Sequence, residues 1–149
     1  MQKYKRLYNM PVKRTPQIIT SKYGPRWGGF HRGVDLRTRD TITWSPCAIT
    51  APERIEIIRK VYQKKWGYTI VAKGLDSGYK LKFTHVKPAL EVTAGRVFLP
   101  GDEIGAALVT EYMRGKKYGE HLHFETWRHG VPVNPVKYFN KTGVEYGYK

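Results

Sequence analysis

A chain of 149 residues is long enough for one domain with a real hydrophobic core, and an aromatic content of 13%, with eleven Tyr and four Trp, excludes a disordered segment. The single cysteine, Cys47, excludes an internal disulfide and a thiolate zinc site, and reads as a small buried residue. The net charge of +15, from 27 Lys and Arg against 12 Asp and Glu, calls for polyanionic partners: nucleic acid, anionic membrane surfaces or anionic cell-wall polymers.

In chain order, residues 1–17 form a basic arm packed on the domain, with short clusters at Lys3, Lys5 and Arg6 and at Lys13 and Arg14. The arm lacks the apolar stretch of a signal peptide. No segment of the chain approaches the roughly 18 apolar residues that span a membrane. Ile18-Ile19-Thr20 is β-prone. Gly24-Pro25 and Gly28-Gly29 then bracket Arg26-Trp27 as a loop held by turns. Thr41 to Ala51 is predicted to be β-rich, and Asp40 to be a turn residue. Arg54 to Tyr62 and Tyr68 to Ala72 are predicted strands on β-branched content. Tyr79 to Val86 alternates cleanly and pairs with the strand before it as a hairpin across Gly74 to Gly78. Pro100-Gly101-Asp102 marks a turn, Gly105 to Val109 a short strand, and Tyr112 to Gly119 a polar basic loop carrying Arg114, Lys116 and Lys117. His121 to Trp127 is a strand, His129-Gly130 a turn, and Val136 to Asn140 one turn of helix capped by Asn134. Residues 18–140 are the domain and 141–149 a C-terminal tail. The fold class is all-β, mainly antiparallel, with long loops forming a groove and at most short helical turns.

Two stretches carry chemistry. In a strand, side chains alternate between faces, so His121, His123 and Glu125 of His121-Leu122-His123-Phe124-Glu125 point the same way. Two imidazoles on one face can both bind a metal, or one can bind while the other moves protons. Upstream, His31 and Asp35 lie four apart, and Gly28, Gly29 and Gly33 argue against a helix there. In an extended segment, residues 31, 33 and 35 share a face, with Gly33 leaving room between the two larger groups. Three ligands drawn from His and Asp, with a fourth position left for water, make a catalytic zinc site.

At these residues the chain resembles the M23 zinc peptidases, the lysostaphin/LytM-type peptidoglycan endopeptidases. Ser21 to Leu36, with His31 and Asp35, is similar to their first metal motif, and His121-Leu122-His123 to their second. Phe83-Thr84-His85-Val86 is similar to the middle motif, with Phe where the family usually has Tyr and Val where it has Leu. Pro100 to Gly105 and Val131 to Pro135 follow in the family's order. The Gly-rich segment that the family carries before its second motif is replaced by the altered, basic stretch 109–120. The resemblance implies an all-β fold and one Zn²⁺ per chain held by His31, Asp35 and His123. It assigns His121 and His85 as the proton-handling pair, with His121 as general base and His85 its partner across the site, or the two roles exchanged. Beside that set, Glu125 is placed to orient a ligand, and Tyr23, Arg26 and Trp27 to line a substrate groove.

The function implied is a zinc endopeptidase of bacterial peptidoglycan, cutting cross-links or stem peptides, a monomer in the cell wall or periplasm. The cleaved bond, glycyl or next to D-Ala, stays open. The basic face would meet anionic wall polymers or an outer-membrane surface, with no specific nucleic acid as partner. The missing leader fits a phage lysin released by lysis machinery or carried in the virion. The alternatives are an M23-like module that binds walls or builds virions without catalysis and, remotely, a nucleic-acid-binding β-domain that stacks bases on its aromatics.

Overall fold

The structure, a computed structural model, describes residues 7–109 and 120–149. The basic clusters at 3–6 and 114–117, and most of the altered stretch 109–120, lie outside the described residues. Thirteen strands and one helix follow in order among them. These are β1 (Gln17–Ser21), β2 (Gly24–Arg26), β3 (Gly29–His31), β4 (Val34–Leu36), β5 (Ile49–Thr50), β6 (Ile55–Gln63), β7 (Gly67–Gly74), β8 (Lys80–Pro88), β9 (Val97–Phe98), β10 (Glu103–Ala107), β11 (Leu122–Arg128), β12 (Val131–Val133), α1 (Pro135–Thr142) and β13 (Tyr146–Tyr148).

The main sheet runs β13-β1-β4-β11-β8-β7-β6-β9, with β10 joining β8 to β5 and β12 pairing β11. Every pairing is antiparallel except β1 with β13. The mainly antiparallel all-β expectation is therefore met, in a single domain. β2 and β3 form a separate two-stranded hairpin.

The alternation of β11 decides the layout. Leu122, Phe124 and Thr126 are fully buried, and α1 covers this face with Tyr138 and Phe139, whose rings lie 6.0 and 5.9 Å from that of Phe124. His123, Glu125 and Trp127 stand on the other face, which lines a cleft. One face of the sheet is core and the other is site. Asn134 caps α1 by accepting the amide of Val136, and Gly143 closes it in the left-handed conformation. The helix is longer than the single turn predicted. A buried carboxylate ties it to the β7–β8 turn: Glu53 accepts the Tyr138 hydroxyl at 2.6 Å and the amides of Asp76 and Ser77.

Several expectations change. Thr41 to Ala51 is a turn followed by mostly irregular chain rather than strand: Asp40 accepts the amides of Ile42 and Thr43, Pro46 makes an isolated bridge to Arg39, and only Ile49–Thr50 forms a strand. The short strand at 105–109 sits two residues earlier, as β10. The segment read as a tail supplies β13 on the edge of the sheet. In the arm, Val12 is fully buried and Pro11 accepts the amide of Thr50, so its described part is anchored to the core there. Cys47 is half-buried against the core rather than enclosed, and burial raises its thiol pKa.

Residues 31–35 are not one extended run. The chain breaks at Arg32-Gly33 and passes from the hairpin into the sheet. Gly33 gives room not to the two metal-type side chains but to β11: a Cβ there would stand 2.4 Å from the Phe124 carbonyl oxygen and 2.9 Å from Glu125 Cγ. Gly33→Ala is therefore expected to cost about 3 kcal/mol, since neither neighbour can yield easily. Urea unfolding should show a lower midpoint with an unchanged slope; an unchanged midpoint would contradict this close crossing.

Candidate metal centre

Three adjacent strands build the site. Asp35 on β4 lies directly opposite His123 on β11, and His123 directly opposite Thr84 on β8. Period-two alternation puts Asp35, His123 and Thr84 on the cleft side. His31 arrives from the end of β3 and His121 from just before β11. His85 would face away from Thr84 in a regular strand, yet both line the cleft. The cause is a register shift between Tyr68 and Thr69 of β7, opposite His85, whose φ is 71°. This bulge turns the imidazole into the site, and a histidine in the left-handed region is the kind of local strain found at functional positions.

His31, Asp35 and His123 converge. His31 Nε2 lies 3.2 Å from His123 Nδ1 and 3.3 Å from Asp35 Oδ1, and His123 Nδ1 lies 3.0 Å from the same oxygen. A tetrahedral zinc with ligands at about 2.0–2.2 Å sets its donor atoms about 3.3–3.6 Å apart, so a small outward shift of these side chains gives the triangle the size the ion needs. The outward nitrogens are committed elsewhere. His31 Nδ1 donates to the Lys22 carbonyl at 2.7 Å, and His123 Nε2 to Glu125 Oε2 at 2.8 Å. Trp127 Nε1 holds the other Glu125 oxygen at 2.6 Å. Both imidazoles are thereby oriented with a lone pair inward, as metal-binding histidines are. Lone pairs converging at this distance repel unless a proton or a metal cation sits among them.

The electrostatics agree. Burial works against an ionised Asp35, but hydrogen bonds from His123 and His31 override it and hold the carboxyl well below the usual range. Burial also works against a charged His123; Asp35 and Glu125 outweigh it and raise the imidazole to about 9. A metal entering here displaces a proton. For His85, burial dominates and pushes the pKa down to about 4, although its Nδ1 donates to the Trp66 carbonyl at 2.9 Å. His121 is buried, packed edge-on to His85 at 4.8 Å, with Nε2 3.8 Å from Asp35 Oδ1.

Four of the five histidines line one cleft of about 1440 Å³. His129 sits in the exposed turn between β11 and β12, as predicted. Of the three residues expected in a substrate groove, Arg26 lines the cleft, with Nη2 3.8 Å from Asp35 Oδ2. Tyr23 instead packs against the core and donates to the Pro132 carbonyl, and Trp27 stands fully exposed at the hairpin tip. Lys22 and Trp66 also serve the site, but through backbone carbonyls that leave no side-chain signal in the sequence. Trp127 was not anticipated, although two more steps along the alternating face of β11 reach it.

Residues 29–135 match the model of peptidase family M23. An uncharacterised protein of Mycobacterium tuberculosis is 34% identical over 137 residues, 91% of this chain, and one of Mycobacterium bovis matches equally. The chain spans about 30% of the length of these curated relatives. Among solved structures, the antimicrobial peptidase lysostaphin from Staphylococcus simulans superposes with a TM-score of 0.70 at 18% identity, covering 95% of this chain and 56% of that one. A zinc-containing peptidase from Vibrio cholerae gives 0.62 at 24%, covering 87% and 39%. A chain of the SpoIIIAH–SpoIIQ complex gives 0.68 at 18%, covering 88% and 99%. At these identities the structural likenesses establish a shared fold.

Proposed function

The chain belongs to peptidase family M23, and from that premise we propose that it is a zinc-dependent endopeptidase cutting peptide cross-links or stem peptides of bacterial peptidoglycan. Peptidases of this family act on the cell wall. The observation that carries the proposal is the outward commitment of both imidazoles, His31 to Lys22 and His123 to Glu125, which leaves two lone pairs beside an ionised Asp35. His31 Nε2, Asp35 Oδ1 and His123 Nδ1 would hold the metal, and a zinc ion there would supply Lewis-acid polarisation of a scissile carbonyl and bring the pKa of a water down towards neutrality.

The chain's own residues do the rest. His121, at the edge of the donor triangle, takes a proton from the attacking water and returns it to the leaving amine. His85 has its Nδ1–H committed to Trp66, so Nε2 is the atom free to exchange a proton. With its pKa at about 4 the ring stays neutral, so Nε2 accepts a hydrogen bond from the attacking water and helps to orient it. Glu125 positions His123. Glu125→Ala is expected to weaken zinc binding about 10–100-fold, read by competition with a chelating dye; unchanged affinity would remove that role. The charge of +15 draws the protein to anionic wall polymers. Among the described residues no helix is long and apolar enough to cross a membrane.

Dye release from purified, dye-labelled cell walls tests the reading. Zinc-loaded protein should release dye, chelator should abolish release, and added zinc should restore it. No release from walls of several peptide chemistries would contradict it and favour a wall-binding module.

A further inference from the structure

We propose that Arg37, with Thr38, forms a carboxylate-binding subsite beside the metal centre, so that the cleft selects peptides carrying a free acidic group within one or two residues of the cut bond. The proposal rests on the reading of the cleft as a peptidase site and narrows its substrate class.

Asp35 and Arg37 flank the fully buried Leu36, and both line the cleft, so Arg37 continues the face that carries Asp35. Two residues along a strand span about 7 Å, the length of two residues of an extended peptide. Arg37 is half-buried, and its Nε is enclosed with no hydrogen-bond partner among the described residues. No carboxylate pairs with its guanidinium among them either. Its neighbour Thr38 is 1% exposed, and its Oγ1 is likewise enclosed and unpartnered. An enclosed guanidinium nitrogen and a buried hydroxyl without partners are costly, and the accessible remainder of the half-buried Arg37 fork is the part that a ligand in the cleft meets.

The surrounding charges exclude the cleft's own carboxylates as that partner. Glu125 is engaged by His123 and Trp127, and Asp35 by the histidines. Glu120 is bound to Arg39 at 2.5 Å. Arg32 and Lys82 add further positive charge to the cleft wall. The planar fork of an arginine matches a carboxylate bidentately, which lysine cannot reproduce. An uncharged glycyl bridge offers this group nothing, whereas a stem peptide with a free glutamyl carboxylate does.

The test uses the peptide Ala-γ-Glu-Lys-Ala with its C-terminus amidated, once with the glutamyl carboxylate free and once with it amidated. Binding to zinc-loaded protein is measured in the His121→Ala background, and cleavage with the wild-type residue at 121. The acid form should bind about tenfold more tightly than the amide, and Arg37→Gln should bring that ratio close to one while still taking up one zinc. Arg37→Lys should give an intermediate ratio, and it decides the matter if Arg37→Gln fails to take up zinc. Equal binding of the two peptides, or a tenfold preference that survives the loss of Arg37, would overturn the subsite. Arg37-dependent binding without cleavage by any peptide would leave the subsite standing and count against the peptidase reading. Cleavage without acid preference would do the reverse.

Discussion

Asp35→Ala is expected to abolish stoichiometric zinc uptake at micromolar metal and, with it, peptidase activity. The reason is the position of Asp35 at the centre of the donor triangle. Its Oδ1 lies within 3.3 Å of both ligand nitrogens, and it is the one full negative charge among the three donors. A structural zinc site is worth about 10–16 kcal/mol over about four ligands, so losing one costs roughly 3–4 kcal/mol, or 10²–10³ in affinity. The charge lost here makes the upper figure the better expectation. Dialysis against buffered zinc followed by elemental analysis measures this directly. One equivalent of zinc retained tightly by Asp35→Ala would remove Asp35 from the ligand set.

His121→Ala is expected to do something different: keep the zinc and lose about 10²–10⁴ in kcat. Its Nε2 stands 3.8 Å from Asp35 Oδ1, next to the triangle but not part of it. The pair of variants therefore separates binding from proton transfer. If His121 were a fourth ligand, zinc affinity and activity would fall together. If it were only a packing partner for the His85 ring, neither zinc affinity nor kcat at saturating zinc would move, and only thermal stability would fall.

The stripe of His123 and Glu125 was legible because a strand has a period of two and the residues on it are chemically distinctive, and His121 was reached by the same period although it lies just before β11. The hairpin of β7 and β8 was legible from clean alternation around a Gly-bounded turn. The path of residues 31–35 was not. Gly33 advertises close approach, but only the three-dimensional crossing shows that the partner is the β11 backbone rather than the neighbouring side chains. His85 was found by motif, yet strict alternation would have turned it away from the cleft; a one-residue bulge reverses that, and a bulge leaves little trace in local composition. The turn at 41–43 was missed because its Thr and Ile content mimics a strand while one Asp40 oxygen captures two backbone amides. The imidazole acceptors Lys22 and Trp66 were invisible for the simplest reason, since every residue has a carbonyl.

Zinc-dependent cleavage of peptidoglycan peptides is tested most directly by mass spectrometry of the fragments released when zinc-loaded protein is incubated with purified peptidoglycan. Fragments with new amino and carboxyl termini within the peptide portion are expected, absent after chelation and restored by zinc. Intact peptides throughout, or cleavage that proceeds undiminished without metal, would contradict zinc-dependent cleavage.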